Sequence, residues 1–383
     1  MKEFFPVLVL LTILRNIQSN TIISQEIFES VGTYDIFLRI GTAERYLQLE
    51  LDMSIDFMWI SIKSYKEEEI IRIAEKKYIG LSGKEIEAEK LLANFTFENN
   101  TNISLIEFPF YFIESKAIRS FDSFPLGFSV HNKSFSIVDY LYQKKYIERL
   151  AFGLQYNNDT QSGFIHFGGI PDEVITPYQQ KCKVIEGYSS WGCNLTKVIF
   201  DNKEFQNVNY SFFQSNQEFI YAPKEFMNYI NSTVFASYIK NETCYTASIN
   251  EDIATFNCEC EYIKSFPSFH FLFGEIAFTL NTSQLFDLNT NECVFIIQLN
   301  EMNNTEWIFG VKFLNNYISL YDYENKDITF YSQVTFKHPK ELFSSRYSIL
   351  INIISIILIV IMTPSLLMLI IHKCKIEDYK ELM

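Results

Sequence analysis

The sequence predicts an all-β fold with two lobes, and three observations support this prediction. Short segments in which apolar residues recur or alternate with polar ones follow one another along the chain, as in proteins built from many short strands. Convincing helical periodicity is scarce. The chain has 383 residues with 48% hydrophobic and 16% aromatic content, which is enough for two lobes of ordinary domain size with a substantial core.

Two predicted strands near the N-terminus carry the first candidate site. Residues 34–42 are mainly apolar and end in Gly41-Thr42. Residues 49–52 alternate apolar and polar side chains, so this strand delivers a single carboxylate, Asp52, to its end. The chain then turns and resumes as another apolar run that contains Trp59.

The stretch KEEEIIRIAEKK at residues 66–77 has two interpretations, a short amphipathic helix or a solvated charged loop. Turns elsewhere must rely on Asn, Asp and Ser, because the chain holds only 13 glycines.

The N-terminus has the layout of a signal peptide. A short charged start precedes an apolar stretch at residues 4–14, which is too short to span a bilayer. A small residue follows near the expected cut, so we predict a signal peptide over residues 1–19, with cleavage after Ser24 as the alternative.

The C-terminal region predicts a membrane anchor. Residues 349–371 contain no charged side chain, and at about 1.5 Å per residue they are long enough to span a bilayer. A juxtamembrane segment at 336–348 precedes them, and the basic cluster at 372–375 begins a cytosolic tail, 372–383. The sequence therefore predicts a single-pass type I membrane protein.

Glycosylation sequons point to the same compartment. Asn-X-Ser/Thr triplets are spread over the whole predicted ectodomain, which favours the secretory pathway, with the protein at the cell surface or in an endolysosomal or vacuolar membrane. The candidate sites are Asn94, Asn99, Asn102, Asn132, Asn158, Asn194, Asn209, Asn231, Asn241, Asn281 and Asn303.

The cysteine count also fits an oxidising compartment. Six of the seven cysteines lie on the predicted luminal side, an even number that predicts disulfides, although spacing alone leaves 15 pairings open. Cys374, just past the membrane, is a candidate for palmitoylation. Cys258 and Cys260 lack nearby Cys or His partners at ligand spacing, so we expect no metal site and no cofactor. The net charge of −14 argues against a nucleic-acid partner.

The first candidate site resembles that of the pepsin-like aspartic peptidases. In that family an Ile-Gly-Thr turn leads through a strand into Asp-Thr-Gly-Ser and then an apolar-Trp pair. Here the turn, Asp52 and Trp59 are present, but residues 53–55 read Met-Ser-Ile in place of Thr-Gly-Ser. Tyr78 and Gly80 resemble the tip of the flap hairpin that covers the family's cleft, and an ordinary β-turn is the alternative.

Later segments extend the resemblance over about residues 34–331. Residues 121–128 resemble the strand that backs the first active-site loop, and 135–141 the amphipathic helix of the first lobe. Residues 162–170 match the family's Ser-Gly-x-apolar-x-Phe-Gly-Gly signature, in which Gly-Gly supplies the positive φ that the reversal needs. By alternation His166 in this strand faces outward and is not a ligand. Residues 307–322 follow the family's closing pattern without a gap.

The resemblance also implies lobes and disulfides. It predicts a first lobe at 25–182 and a second at 183–335. The family spacing implies a Cys260–Cys293 bridge, which leaves Cys182–Cys193 and Cys244–Cys258 as the local pairs.

The family's chemistry needs two Asp carboxylates that share one proton and hold the attacking water. Counting back from Ala222-Pro223 places Gln214 where the second Asp stands in the family, and no Asp lies between residues 202 and 250. Gln214 cannot exchange a proton. Asp52 alone is expected to ionise as an ordinary carboxylate.

The turns around the two dyad positions depart further from the family. Ser54 and Asn216 replace the two glycines, and Met53 and Ser215 replace the two threonines whose hydroxyls support the loops. Two nearby acidic residues are expected on the outer side of their loops rather than in a new dyad: Asp56 and Glu218.

We therefore predict a membrane-anchored glycoprotein of pepsin-like fold that binds a peptide or protein in its cleft without cutting it. The alternative is an active aspartic endopeptidase with a degenerate dyad. A third interpretation is a structural surface glycoprotein with a closed cleft.

Overall fold

The fold was determined from a computed structural model of the 383-residue chain. It describes residues 22–30, 32–42, 46–61, 70–81, 84–97, 103–113, 122–127, 136–157, 160, 162–201, 203–206, 210–274, 276–289, 292–301 and 305–332. The predicted signal peptide and membrane anchor lie outside these residues. Within the described part of the chain, no helix is long and apolar enough to cross a bilayer.

The described residues of the first part of the chain form ten strands and one helix. The helix, α1, spans Ile137–Gln143 and begins at Ser136, whose hydroxyl accepts a hydrogen bond from the Val138 amide at 3.2 Å. The strands are β1 (Ile23–Ser30), β2 (Thr33–Ile40), β3 (Leu47–Asp52), β4 (Met58–Ile60), β5 (Ile71–Leu81), β6 (Lys84–Phe97), β7 (Ser104–Phe112), β8 (Ser123–Pro125), β9 (Ala151–Asn157) and β10 (Ser162–Phe167).

The second part is also mostly β, with short helices between the strands. The helices are α2 (Lys224–Ile230), α3 (Ala236–Lys240), α4 (Thr282–Leu285) and α5 (Val311–Leu314). The strands are β11 (Tyr178–Lys183), β12 (Gly192–Asn194), β13 (Lys197–Phe200), β14 (Lys203–Phe205), β15 (Tyr210–Phe213), β16 (Ile220–Ala222), β17 (Cys244–Ile249), β18 (Asp252–Glu259), β19 (Phe269–Phe273), β20 (Ile276–Leu280), β21 (Phe286–Asn289), β22 (Glu292–Phe295), β23 (Ile297–Leu299), β24 (Trp307–Phe309), β25 (Ile318–Asp322) and β26 (Asp327–Ser332).

One large sheet connects the two parts of the chain. Its strand order is β11-β26-β25-β9-β10-β1-β2-β3-β8-β4-β7-β6-β5, and β2 also pairs with β6. The second part adds three smaller sheets, β12-β15-β24-β16-β23, β14-β13-β19-β20 and β17-β18-β22-β21. Strands from the two parts of the chain therefore lie side by side, with β25 next to β9.

The same strand arrangement occurs once in each lobe. In the first lobe β8 lies between β3 and β4, parallel to β3 and antiparallel to β4. In the second lobe β24 lies between β15 and β16, parallel to β15 and antiparallel to β16. The repetition places the ends of β3 and β15 at equivalent points of the two lobes.

The core is rich in aromatic rings and continues between the lobes. Trp191 is fully buried, and its indole nitrogen donates to the Leu126 carbonyl at 2.7 Å. Its ring packs edge-on against Tyr321 and Tyr323, and Phe152 stacks on Tyr321 at 4.7 Å. These rings join strands of the first lobe to the end of the second, so the two cores are not independent.

The structure forms the three disulfides that the family resemblance implies: Cys182–Cys193, Cys244–Cys258 and Cys260–Cys293. Their Cα atoms lie 6.1, 4.1 and 5.2 Å apart, respectively.

Two sequence-based interpretations are wrong. Over residues 71–77 the charged stretch is neither a helix nor a loop but part of β5, which pairs with β6 in a long hairpin. His166 is buried rather than outward-facing, because its ring nitrogens find partners inside: Ser24 Oγ at 2.8 Å and Gln155 Oε1 at 3.2 Å. The Gly-Gly prediction is confirmed, since Gly168 and Gly169 have φ of +93° and +148°.

Candidate functional site

The two candidate dyad positions end equivalent strands, one in each lobe. Asp52 is the last residue of β3, and Gln214 directly follows β15. Ser215, the next residue in the second turn, contacts the first lobe: its hydroxyl donates to the Leu51 carbonyl at 2.5 Å. The Tyr34 amide in turn donates to the Ser215 carbonyl at 3.1 Å. The structure thus brings the two turns together.

The Asp52 carboxylate is held by its own turn. The Ser54 amide and hydroxyl both donate to Asp52 Oδ1, at 2.8 and 2.5 Å. Asp52 is only 9% exposed, and burial raises the pKa of its carboxyl although the Ser54 hydrogen bonds oppose the rise. The expectation of an ordinary carboxylate is therefore wrong: Asp52 holds its proton to higher pH.

The second turn offers an amide in place of an acid. The Gln214 backbone amide donates to the Phe309 carbonyl at 3.0 Å, so the residue is fixed by β24. Its half-buried side chain cannot titrate. The nearby Asn216 Oδ1 is buried and has no hydrogen-bond partner among the described residues.

The residues that stand in place of the two glycines, Ser54 and Asn216, do not need the left-handed backbone conformation that favours glycine. Neither Ser54 nor Asn216 adopts a positive φ. The Ser54 amide approaches Asp52 as closely as a hydrogen bond requires. Of the two threonine replacements, Ser215 keeps a supporting hydroxyl, whereas Met53 is fully buried in the core.

Two glycines support the turns in the same way. The Gly127 amide donates to the Ile55 carbonyl at 2.6 Å, and a Cβ at Gly127 would lie 2.3 Å from that oxygen. A Cβ at Gly310 would lie 2.3 Å from the Gln217 carbonyl oxygen. Ile55 and Gln217 each stand three residues after their dyad position. A glycine therefore packs against each turn at a distance that leaves no room for a Cβ atom.

Glu218 does not supply a replacement acid. Its carboxylate lies 3.9 Å from Lys312 Nζ, which also pairs with Asp287 at 3.2 Å. Lys312 and Asp287 line a polar cavity of about 240 Å³ that includes neither dyad position. The Glu218 side chain is half-buried beside Gly32, and its carboxylate is paired with Lys312.

Sequence reasoning missed two carboxyl groups beside Asp52. It predicted a single carboxylate on this strand, but Glu50, two residues earlier, shares its face, and Asp35 pairs with Glu50 across β2 and β3. Burial raises the pKa of Glu50 to about 8, with added repulsion from Asp52 and Asp35. Burial raises the pKa of Asp35 to about 6. The alternation of side chains along β3 could have predicted that Glu50 lies on the same side as Asp52.

The segment predicted as a flap forms a hairpin. Tyr78 pairs with Glu87 and Gly80 with Glu85, near the point where β5 and β6 join. Within this hairpin Ala88, which pairs with Lys77, packs with Trp59 and Tyr111 in an apolar cluster separate from the main core.

Within the described part of the chain, no group of His, Cys, Asp or Glu side chains is arranged to hold a metal ion.

Comparison with known proteins identifies the family. The family model described as eukaryotic aspartyl protease matches residues 123–333, more than half of the chain, including the Gln214 turn and the closing segment but not Asp52. The crystal structure of the aspartic proteinase from Irpex lacteus superposes with a TM-score of 0.66 at 13% identity, covering 81% of this chain and 97% of that one. No curated protein sequence matches. With its mainly β, pepsin-like fold, this chain belongs to the eukaryotic aspartyl protease family.

Proposed function

We propose that this member of the family is a non-catalytic, membrane-anchored glycoprotein that binds a peptide or a protein segment between its lobes. The observation that carries the proposal is Gln214 at the second dyad position. An aspartic peptidase needs one carboxyl group that donates a proton to the substrate carbonyl while the other accepts one from water. An amide can do neither.

The surroundings of the dyad support binding without cleavage. The interlobe bond from Ser215 to Leu51 and the glycines behind both turns keep the cleft's framework, although one acid is missing. Glu218 is paired with Lys312, which leaves no carboxylate free in the second turn.

The anchor and the glycans are part of the same proposal. Residues 349–371 would hold the protein in a secretory-pathway membrane, with the two lobes on the luminal or extracellular side. Several sequons have exposed asparagines, as glycosylation requires: Asn94, Asn194, Asn241 and Asn281. Resistance to carbonate extraction, together with a mobility shift after glycosidase treatment, tests both features. Release of unglycosylated protein by carbonate would contradict them.

The decisive experiment measures cleavage and binding on the same sample. Full-length protein in detergent is incubated with a peptide library between pH 3 and 8, with and without a pepstatin-type inhibitor. We expect no inhibitor-sensitive cleavage but saturable binding of some peptides. Acid-optimum cleavage that Asp52→Asn abolishes would overturn the proposal.

An active endopeptidase remains a second candidate because of one observation. Glu50 lies on the same face as Asp52, and the pKa of both carboxyl groups is raised. A pair in which one group is protonated and one ionised is what acid catalysis needs. Cleavage that is lost on Glu50→Gln as well as on Asp52→Asn would favour this candidate.

A further inference from the structure

We propose that the face of β2 and β3 that carries Asp35, Glu50 and Asp52 binds a cationic side chain, arginine or lysine, of the peptide held between the lobes. We call this side of the two strands the carboxylate face; Glu50 is half-buried there, whereas Asp35 and Asp52 are buried. The inference rests on the proposed function, since it assigns a specificity to the same cleft.

Strand register defines the carboxylate face. Glu50 and Asp52 stand two residues apart on β3, and Asp35 lies directly opposite Glu50 on β2, so the three side chains share one side of the sheet. The other side of these strands is core, where Leu49 and Leu51 are fully buried. The carboxylate face ends at Asp52, beside the second turn, and so borders the cleft.

Among the described residues, the three carboxyl groups have polar neighbours but no lysine or arginine as an ion-pair partner. Gln48 Nε2 donates to Asp35 Oδ2 at 2.5 Å, and Thr33 hydrogen-bonds with Glu50. None of the ion pairs formed among the described residues joins this face to a lysine or arginine.

The strands around the carboxylate face carry one cationic side chain, Arg39, on the same side of the sheet. Further along the same side of β2, the Arg39 guanidinium lies over the Tyr46 ring, 5.8 Å from its centre. On β1 the charged residue of this side is Glu26, and β8 contributes no titratable group. Negative charge therefore dominates the face once its carboxyl groups ionise.

A buried hydroxyl gives independent support. Ser123 lies in register with Glu50 on β8, so its side chain points to the same side of the sheet. Ser123 is 2% exposed, and its Oγ has no hydrogen-bond partner among the described residues. A buried polar atom without a partner is costly, and an N–H donor or a water held by a bound ligand would satisfy it.

The arrangement favours an organic cation over a metal ion. No set of carboxylates in the described residues is close enough to ligate a metal. A guanidinium instead presents five N–H donors in a planar fork and can contact separate acceptors, and an ammonium presents three.

The two walls of the cleft differ at equivalent positions. Glu50 precedes Asp52 by two residues, whereas Phe212 precedes Gln214 by two and packs against Tyr188 at 5.1 Å between ring centres. A peptide in the cleft would therefore meet carboxylates on one wall and aromatic rings on the other. The cation belongs on the wall of the first lobe.

The test compares matched peptides on full-length protein in detergent. Library peptides that bind are resynthesised in pairs in which arginine is replaced by citrulline, its neutral isostere, and lysine by norleucine. We expect the cationic peptide to bind at least about tenfold more tightly, as charge-assisted hydrogen bonds contribute. Glu50→Gln and Asp35→Asn should each reduce that ratio, whereas Glu204→Gln, whose carboxylate pairs with Lys197, should preserve it.

A second readout needs no variant. Pairing with a cation requires Glu50 to ionise, and burial raises its pKa to about 8. Binding should therefore release a proton, and the preference for arginine over citrulline should grow between pH 6 and 8, as Glu50 and Asp35, whose pKa is raised to about 6, lose their protons.

The outcomes separate this inference from the proposed function. Equal affinity for cationic and neutral peptides, or a preference unchanged in both the Glu50→Gln and Asp35→Asn variants, overturns the carboxylate face as the site while leaving peptide binding intact. Failure of every library peptide to bind overturns the proposed function and this inference with it.

Discussion

The Ser215 hydroxyl, fully buried in the second turn, donates a hydrogen bond to the Leu51 carbonyl of the first lobe at 2.5 Å. This bond joins the backbone immediately before Asp52 to the residue immediately after Gln214. It fixes the separation of the two dyad positions even though one no longer carries an acid. The contact between the two turns is therefore present with an amide, Gln214, and not an acid at the second position.

Removing this bond should destabilise the protein. Ser215→Ala leaves the buried Leu51 carbonyl without a donor, which costs about 1–3 kcal/mol. We expect a lower thermal midpoint for Ser215→Ala and near wild-type behaviour for Ser215→Thr, which retains the hydroxyl. An Ala variant as stable as the wild type would show that water or a neighbouring group replaces the bond.

Restoring activity should require more than the missing acid. Gln214→Asp alone is expected to remain inactive, because Met53 offers no hydroxyl to the facing turn and the Asn216 side chain occupies the place of a glycine. The combination Met53→Thr, Gln214→Asp and Asn216→Gly should give weak, pepstatin-sensitive cleavage at acid pH. Measurement of initial rates, with Asp52→Asn in the same background as the control, checks this. Robust activity of Gln214→Asp by itself would contradict it.

Stability should fall as the pH rises from about 5 to 8. In the unfolded chain Glu50 releases its proton near its ordinary pKa of 4.5, whereas the folded protein holds it up to about pH 8. The folded state therefore binds more protons in this interval, and the free energy of unfolding decreases with pH. Asp35, with its pKa raised to about 6, adds to the lower part of the same interval.

Denaturant unfolding at pH 5, 6, 7 and 8 measures this dependence. Glu50→Gln mimics the protonated side chain and should flatten the slope, whereas Glu204→Gln should not. A stability that rises with pH over this interval would show that Glu50 is ionised in the folded protein.

The cysteine pairing can be checked against a specific competitor. Cys258 lies opposite Cys293 in the β18–β22 register, yet each bridges a different partner, Cys244 and Cys260. Non-reducing peptide mapping, with cleavage between residues 258 and 260, should find Cys260 joined to Cys293. A Cys258–Cys293 peptide would contradict the assignment.

Crowding at the first turn gives a further test. Gly127→Ala forces a Cβ against the Ile55 carbonyl, a backbone group that cannot rotate away, and should cost about 3 kcal/mol or more. Gly187→Ala, at a positive φ but with no atom within 4 Å of the added Cβ, should cost only about 1–2 kcal/mol. Thermal unfolding of both variants compares them. An equal loss of stability in the two variants would show that the backbone of the first turn shifts to accommodate the added Cβ.

Much of the fold follows from local patterns in the sequence. The end of β3 at Asp52, the helix at Ile137–Gln143 and the Gly-Gly reversal depend on alternation, capping and glycine, all of which are visible in the chain. The error at His166 arose because the outer side of β10 is covered only near its end: Phe164 is exposed, whereas His166, two residues later on the same side, is buried. In β5 pairing with β6 outweighed the helical propensity of a lysine- and glutamate-rich stretch.

The candidate site was predicted less completely. Asp52 was predicted from the alternation of its strand, whereas Gln214 was placed by the family resemblance, by counting back from Ala222-Pro223. The partnership of Asp35 with Glu50 depends on which residues of β2 and β3 face each other, and that register is a long-range property. The retained support from Ser215 is also a contact between lobes, which no local pattern reveals.

The sheet shared by the two lobes bears on the order in which the chain can fold. β9 pairs with β10 as soon as both have been synthesised, but its other edge waits for β25, which follows after the whole second lobe. Until then the first lobe exposes an unpaired strand edge, the kind of surface that invites association with other chains. Completion of this sheet is therefore expected to be a late, non-local and slow step, at which chaperones would act.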